Sequence, residues 1–280
     1  MPKKKDITYG GSSDELKICP KCNQPITDHH LGGKVKIRPT DETTRLARSL
    51  QSIFDVVFDA SQTQLRAKRD LEETQREERL AKESTMIGVA IATYQNSKGD
   101  EEIIKFGTAS GILGAEMLQL INQKDNSIKN LKLINIQSAG TYNQEEISHT
   151  DGVSTFKHRF QMYQNNVLKD KVLDPQKTFL FTVEKESREV VGRQAIENTR
   201  NRTSIGNQKL GSCAAQKLFQ AIFEYAWKNK KRVTNIDMSE IFWQLSKSNK
   251  SQEYKAGELC ESCDTCKKVL PQILCDLKNE

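Results

Sequence analysis

No apolar run in the 280 residues approaches the ~18 needed to cross a bilayer as a helix, so the pattern excludes a helical membrane span. No apolar export segment opens the sequence, which begins Met1-Pro2-Lys3-Lys4-Lys5-Asp6. The expected compartment is therefore cytoplasmic or nuclear, where thiols stay reduced. Aromatic residues are scarce at 6%, so any core must lean on Ile, Leu, Val and Ala. Internal repeats and low-complexity tracts are absent, and Gly107-Thr108-Ala109-Ser110-Gly111 lacks the spacing of a phosphate loop. The hydrophobic share of 36% and the mean hydropathy of −0.67 lie on the polar side. They fit one well-packed domain accompanied by solvated segments.

What is present is mildly basic. Lysine and arginine outnumber acids by 43 to 37, a net charge of +6. That balance permits a nucleic-acid partner without demanding one. Seven cysteines occur, and five of them fall into two close-spaced clusters. In a reducing compartment such clusters point to metal rather than disulfides.

Residues 1–38 read as a flexible lead followed by a small zinc knuckle. Residues 39–85 read as one long helix, capped by Thr40 or Asp41. From Glu42 to about Lys82 neither glycine nor proline interrupts it, and Leu46, Leu50, Ile53, Phe54, Val57 and Phe58 recur at three- and four-residue steps. Its later part is almost wholly charged and reads as a solvated extension or as an arm for a protein or nucleic-acid partner. Residues 86–280 form the expected α/β domain, with 108–210 as a possible insertion. Met86 to Tyr94 and Ile103 to Phe106 are strand-like runs around the turn cluster Asn96 to Asp100, and so predict a hairpin. Further strands are expected at Leu131–Ile136, Thr178–Val183 and Val233–Ile236. Helices are expected at Ile112–Asn122, Thr155–Lys169, Glu189–Asn198, from a Ser212 cap to about Lys228, at Met238–Ser246 and at Cys263–Leu277.

Two segments carry the chemistry. One is Gly211-Ser212-Cys213-Ala214-Ala215-Gln216-Lys217-Leu218-Phe219, a single cysteine in the first turn of a helix. The other is Cys260-Glu261-Ser262-Cys263-Asp264-Thr265-Cys266-Lys267-Lys268-Val269-Leu270-Pro271, a C-x-x-C pair opening another helix. Zinc favours tetrahedral thiolate and imidazole ligation, and a catalytic site uses three protein ligands and leaves the fourth place to water. Helix N-termini favour thiolates. Cys213 with Cys263 and Cys266 supplies three ligands. Cys260 overlaps that pair as a second C-x-x-C, and the run Lys267-Lys268-Val269-Leu270 favours the later one. In the competing reading Cys213 is a core cysteine, and Cys260, Cys263 and Cys266 form a separate structural zinc site.

The pairing resembles the cytidine deaminase-like superfamily of zinc-dependent nucleobase deaminases, and most of all its bacterial toxin-type branch, over roughly residues 86–280. The resemblance implies a mixed sheet with zinc-bearing helices packed on it. It also implies hydrolytic removal of an exocyclic amine, with cytosine in nucleic acid, DNA favoured, as the expected substrate. Asn198, Arg200, Asn201 and Arg202 fall where that superfamily borders its base pocket. The family places a proton-shuttling glutamate two residues after the first ligand, and here that position is Ala215. Alanine cannot relay a proton, so the chain as it stands is expected to be inactive. It is either an inactivated enzyme, the preferred reading, or a natural pseudoenzyme.

Three further groups complete the reading. At the N-terminus, Cys19 and Cys22 with His29 and His30 fit a second, structural zinc, unless they are incidental to a flexible tail or Cys260 completes the site. Trp227, Trp243 and Cys275 read as core, while His149 and His158 have no evident partner. The alternative to an enzyme is a non-catalytic, zinc-stabilised module that binds nucleic acid or protein. In that case Ala215 is simply a good helix residue.

Overall fold

The computed structural model describes residues 37–66, 84–123, 128, 130–148, 153–163, 178–188, 210–244 and 254–274. The elements are α1 (Asp41–Arg66), β1 (Ser84–Gln95), β2 (Glu101–Ala109), α2 (Gly111–Gln123), β3 (Leu131–Leu133), β4 (Thr141–Ser148), β5 (Val153–Met162), β6 (Thr178–Arg188), α3 (Ala214–Lys228), β7 (Arg232–Gln244) and α4 (Asp264–Ile273). They build a mixed α/β fold around a four-stranded sheet in the order β3-β2-β1-β7. β1 runs antiparallel to both β2 and β7, and β3 pairs parallel with β2.

The hairpin expected from the sequence forms, and it is longer than the apolar runs alone suggested. Gln95 pairs with Glu101 at its tip, where the Asn96 side-chain oxygen accepts the backbone N–H groups of Lys98 and Asp100 at 2.9 Å each. An asparagine turn of this kind closes a hairpin locally.

Helices cover both faces of the sheet. Ile87 and Val89 of β1, with Ile241 and Trp243 of β7, pack against Leu50, Phe54 and Val57 of α1 and Leu118 and Ile121 of α2. Ala90, Ala92 and Tyr94 of β1, with Ile236 and Met238 of β7, face Leu218, Phe219 and Ile222 of α3 and Val269 and Leu270 of α4. The alternation along β1 is the period-two pattern of a strand. Gly88 lies on the α3 face. A Cβ there would come within 3.0 Å of Ala214 Cβ and of Leu218 Cδ1, so the missing side chain lets the first turn of α3 sit close on β1.

α1 is capped by Thr40 and not by Asp41. Thr40 Oγ1 accepts the Thr43 N–H at 3.2 Å while Thr43 Oγ1 accepts the Thr40 N–H at 3.0 Å, a reciprocal arrangement that satisfies two helix-end donors. Trp243 is fully buried, stands edge-on to Phe54 at 5.9 Å and donates its indole N–H to Asp55 at 2.8 Å, as a core tryptophan should. Trp227 is only partly buried.

Two expected helices are strands. Residues 238–246 read as helical, yet β7 runs unbroken from Arg232 to Gln244. Both of its faces are covered by helices and every residue from Met238 to Trp243 is buried, while Met238, Ile241 and Phe242 recur at helical spacing, so its period-two signal is hidden. Residues 155–169 also read as helical, yet Val153–Met162 is the middle strand of an antiparallel sheet in the order β4-β5-β6. The charged run Lys157-His158-Arg159 masked the alternation there. That sheet belongs to the segment between β2 and α3, and it is tied to the core where Met162 is buried and the Tyr163 N–H donates to Gln220 at 3.0 Å. The strand expected at 131–136 ends at Leu133.

The long helix is described as far as Arg66. Its charged continuation, the helix expected at 189–198, Cys275 and His149 lie outside the described residues. No described helix is long and apolar enough to cross a membrane.

Candidate metal centre

Cys213 is the residue before the first turn of α3. It takes the N-cap position (φ −72°, ψ 146°), and its side chain makes no capping bond to the helix. Ser212, expected as the cap, lies one residue earlier. Cys263 holds the same position on α4 (φ −65°, ψ 166°), and there the sulfur accepts the Cys266 N–H at 3.4 Å. Both helices thus present an N-terminus to the same place, where exposed N–H groups and the helix dipole favour thiolate.

The Sγ atoms of Cys213, Cys263 and Cys266 lie within 4.8 Å of one another, with Cys213 and Cys263 at 3.4 Å. A tetrahedral zinc with Zn–S bonds of about 2.3 Å sets its sulfurs about 3.8 Å apart, inside that range. The spacing is too long for a disulfide, whose sulfurs stand about 2.05 Å apart. Donor chemistry and spacing therefore fit a metal ion. Among the described residues no fourth histidine, cysteine or carboxylate joins the group. Cys260 is buried, but its S–H is directed to the Glu258 carbonyl at 3.4 Å. Of the overlapping C-x-x-C pairs, it is the sulfurs of Cys263 and Cys266 that lie with Cys213, with α4 starting directly after Cys263. Beside that cysteine, Ser262 Oγ is the one buried side-chain oxygen or nitrogen among the described residues without a hydrogen-bond partner.

The thiols share charge in a definite way. Hydrogen bonds from Cys213 and then Cys266 pull the Cys263 thiol well below its ordinary range, so it is the cysteine of the three that most readily carries charge. The contact with Cys263 pushes Cys213 well above the ordinary thiol range, and the contacts with Cys213 and then Cys263 do the same to Cys266, with burial adding to both. Taking up a divalent cation must therefore expel two protons. Zinc affinity is expected to rise by about 100-fold per pH unit around neutrality, as two released protons require. Competition with a chromophoric chelator at several pH values measures this slope. A flat profile would rule out thiolate ligation by these three residues.

Several polar groups around the cluster are buried and were not anticipated from the sequence. Glu240 of β7 accepts the Ala215 N–H at 3.1 Å, and burial first, then the Cys263 charge, pushes its carboxyl up to about 8. Lys217 is fully buried. Its Nζ donates to the carbonyls of Ala109 at 2.9 Å and Gly111 at 3.2 Å, which ties α3 to the turn between β2 and α2. Burial pulls its pKa down to about 8, against the pull of Cys213. Gln216, also fully buried, bonds Gly211 and Cys266. Residues 214–220 are all buried, so the first two turns of α3 have no solvated face. Helical periodicity would have placed Gln216, Lys217 and Gln220 on one.

Ala215 is fully buried within the core cluster that includes Cys213 and Cys266. The remaining candidates, Cys19, Cys22, His29 and His30 of the N-terminal cluster and Asn198, Arg200, Asn201 and Arg202 of the base-pocket reading, lie outside the described residues. His158 falls on β5. No protein-family model matches the chain, and neither does any curated protein or solved structure.

Proposed function

We propose that the chain is a zinc-dependent nucleobase deaminase of the cytidine deaminase-like kind, held inactive by Ala215. The observation that carries this reading is the three-cysteine cluster itself, built from two helix N-termini with no fourth protein ligand among the described residues. A three-ligand site is the catalytic pattern for zinc, whereas structural sites close with four. The chain order also supports it, since a β-hairpin is followed by a cysteine-bearing helix, a strand returning beside the first, and a C-x-x-C helix. Zinc in such a site supplies a Lewis acid that makes water nucleophilic near neutral pH.

The protein's own part is to hold the ion, exclude bulk water and move a proton between water and base. Cys213, Cys263 and Cys266 do the first. The core around α3 and α4 does the second. The third needs a carboxylate two residues after Cys213, where this chain has a methyl group. Cytosine in nucleic acid, with DNA favoured, is the proposed substrate, and the net charge of +6 is compatible with it. Mass spectrometry tests the reading. A gain of about one dalton on single- and double-stranded DNA, RNA and free nucleosides marks exchange of amine for oxygen. Ala215→Glu and the unaltered chain are assayed side by side.

One observation favours a second reading, a zinc-stabilised binding module without catalysis. Ala215 is fully buried and its N–H is bonded to Glu240, so alanine suits the helix as it stands. In that case zinc content is unchanged, no variant at position 215 turns over, and the partner is nucleic acid or a protein met through the 42–82 segment.

A further inference from the structure

The polar contacts of Gln216 go beyond a packing role. Its side-chain oxygen accepts the Gly211 N–H at 2.6 Å, and its amide nitrogen donates to Cys266 Sγ at 3.4 Å. The two ends of the amide are not interchangeable. The backbone N–H of Gly211 can only donate, so it must face the oxygen, which leaves the NH₂ for the sulfur. Gly211 in turn accepts the Ala139 N–H at 2.8 Å. At φ +81° Gly211 adopts a left-handed conformation, and a Cβ there would overlap Ser138 Oγ and Ala139 O. The glycine is thus required for the two loops to meet. A continuous chain of hydrogen bonds runs from Ala139 through Gly211 and Gln216 to Cys266.

We propose that Gln216 is a positioning residue for the metal centre, fixing Cys266 and tuning its thiolate through an N–H···S bond, and that this chain of bonds ties the loop at 138–139 to the metal. The proposal rests on the metal reading of the three cysteines. A hydrogen bond to a ligating sulfur withdraws electron density from it and sets its rotamer. Partners of this kind are worth about 10–100-fold in metal affinity. Ala139 belongs to the segment between β2 and α3, so movement of that loop on binding a ligand would be felt at Cys266.

The test uses the full chain loaded with cobalt(II), whose thiolate charge-transfer band reports the electron density on sulfur. Gln216→Met and Gln216→Leu both remove the acceptor for Gly211 and the donor to Cys266, and they fill the buried space with different shapes. The proposal expects metal affinity about 10–100-fold weaker in both variants, with the band moved to lower energy. Unchanged affinity would overturn it, and so would weaker affinity with an unmoved band, which is what a packing defect alone gives. A second measurement needs no variant. In the unaltered protein loaded with cadmium, a Gln216 amide proton is expected to show scalar coupling to the metal across the N–H···S bond. Absence of that coupling overturns the proposal even if both variants fail to fold. If the unaltered chain shows no cobalt–thiolate band at all, the metal reading has failed, and Gln216 falls with it.

Discussion

Ala215→Glu is expected to convert a cytosine-containing substrate about 10²–10⁴ times faster than the chain bearing alanine, the usual worth of a positioned general acid–base. Position 215 lies two residues into α3 from Cys213, and its backbone sits in the cluster that contains Cys213 and Cys266. A glutamate there starts from the same helix turn as the first ligand. Burial first, then the Cys263 charge, pushes the neighbouring Glu240 carboxyl up to about 8. Circular dichroism and zinc content check that the variant folds and holds its ion. Turnover by the variant alone establishes reaction class and substrate together. A folded, zinc-loaded variant that converts neither cytosine nor adenine substrates removes the enzymatic reading and leaves the binding module.

Cys213→Ser is expected to release one zinc per chain. Spreading the roughly 10–16 kcal/mol of a four-ligand zinc site over its ligands gives about 3 kcal/mol each, close to 100-fold in affinity. With zinc in excess, that loss lowers the folding stability of the holo protein by about 2.7 kcal/mol. Cys263→Ser and Cys266→Ser are expected to behave alike, because all three sulfurs share one cluster. Cys260→Ser is expected to keep the zinc, because its sulfur is directed to the Glu258 carbonyl instead. Metal analysis after dialysis and thermal unfolding with and without added zinc measure both effects. Loss of zinc from Cys260→Ser but not from Cys213→Ser would indicate a separate structural site made by the last three cysteines.

The centre was legible in the sequence to the extent that its chemistry is local. A cysteine at the start of an apolar helix and a C-x-x-C pair at the start of another are both short-range signals, and fifty residues apart they still meet because α3 and α4 pack on the same face of the sheet. What holds the ligands in place was not legible. Glu240 reaches Ala215 from a strand that read as a helix, and its contact depends on the pairing of β7 with β1. Gln216 and Lys217 stood inside the motif, but a polar pair on a helix ordinarily faces solvent. Here both are buried, Gln216 against Gly211 and Cys266 and Lys217 against the carbonyls of Ala109 and Gly111. The middle of the chain was the least legible part. The alternation of β5 was obscured by consecutive charged residues, so a strand stands where a helix was expected, while the strand expected at Thr178–Val183 is present as part of β6.

Cadmium NMR on the full chain tests the central claim most directly, because each site gives its own resonance and the shift follows the number of thiolates bound. The resonance that disappears in Cys213→Ser is expected at the position of three sulfurs with one oxygen or nitrogen, the signature of an ion whose fourth place is open to water. A four-sulfur position, or a set of resonances indifferent to Cys213, would contradict the account.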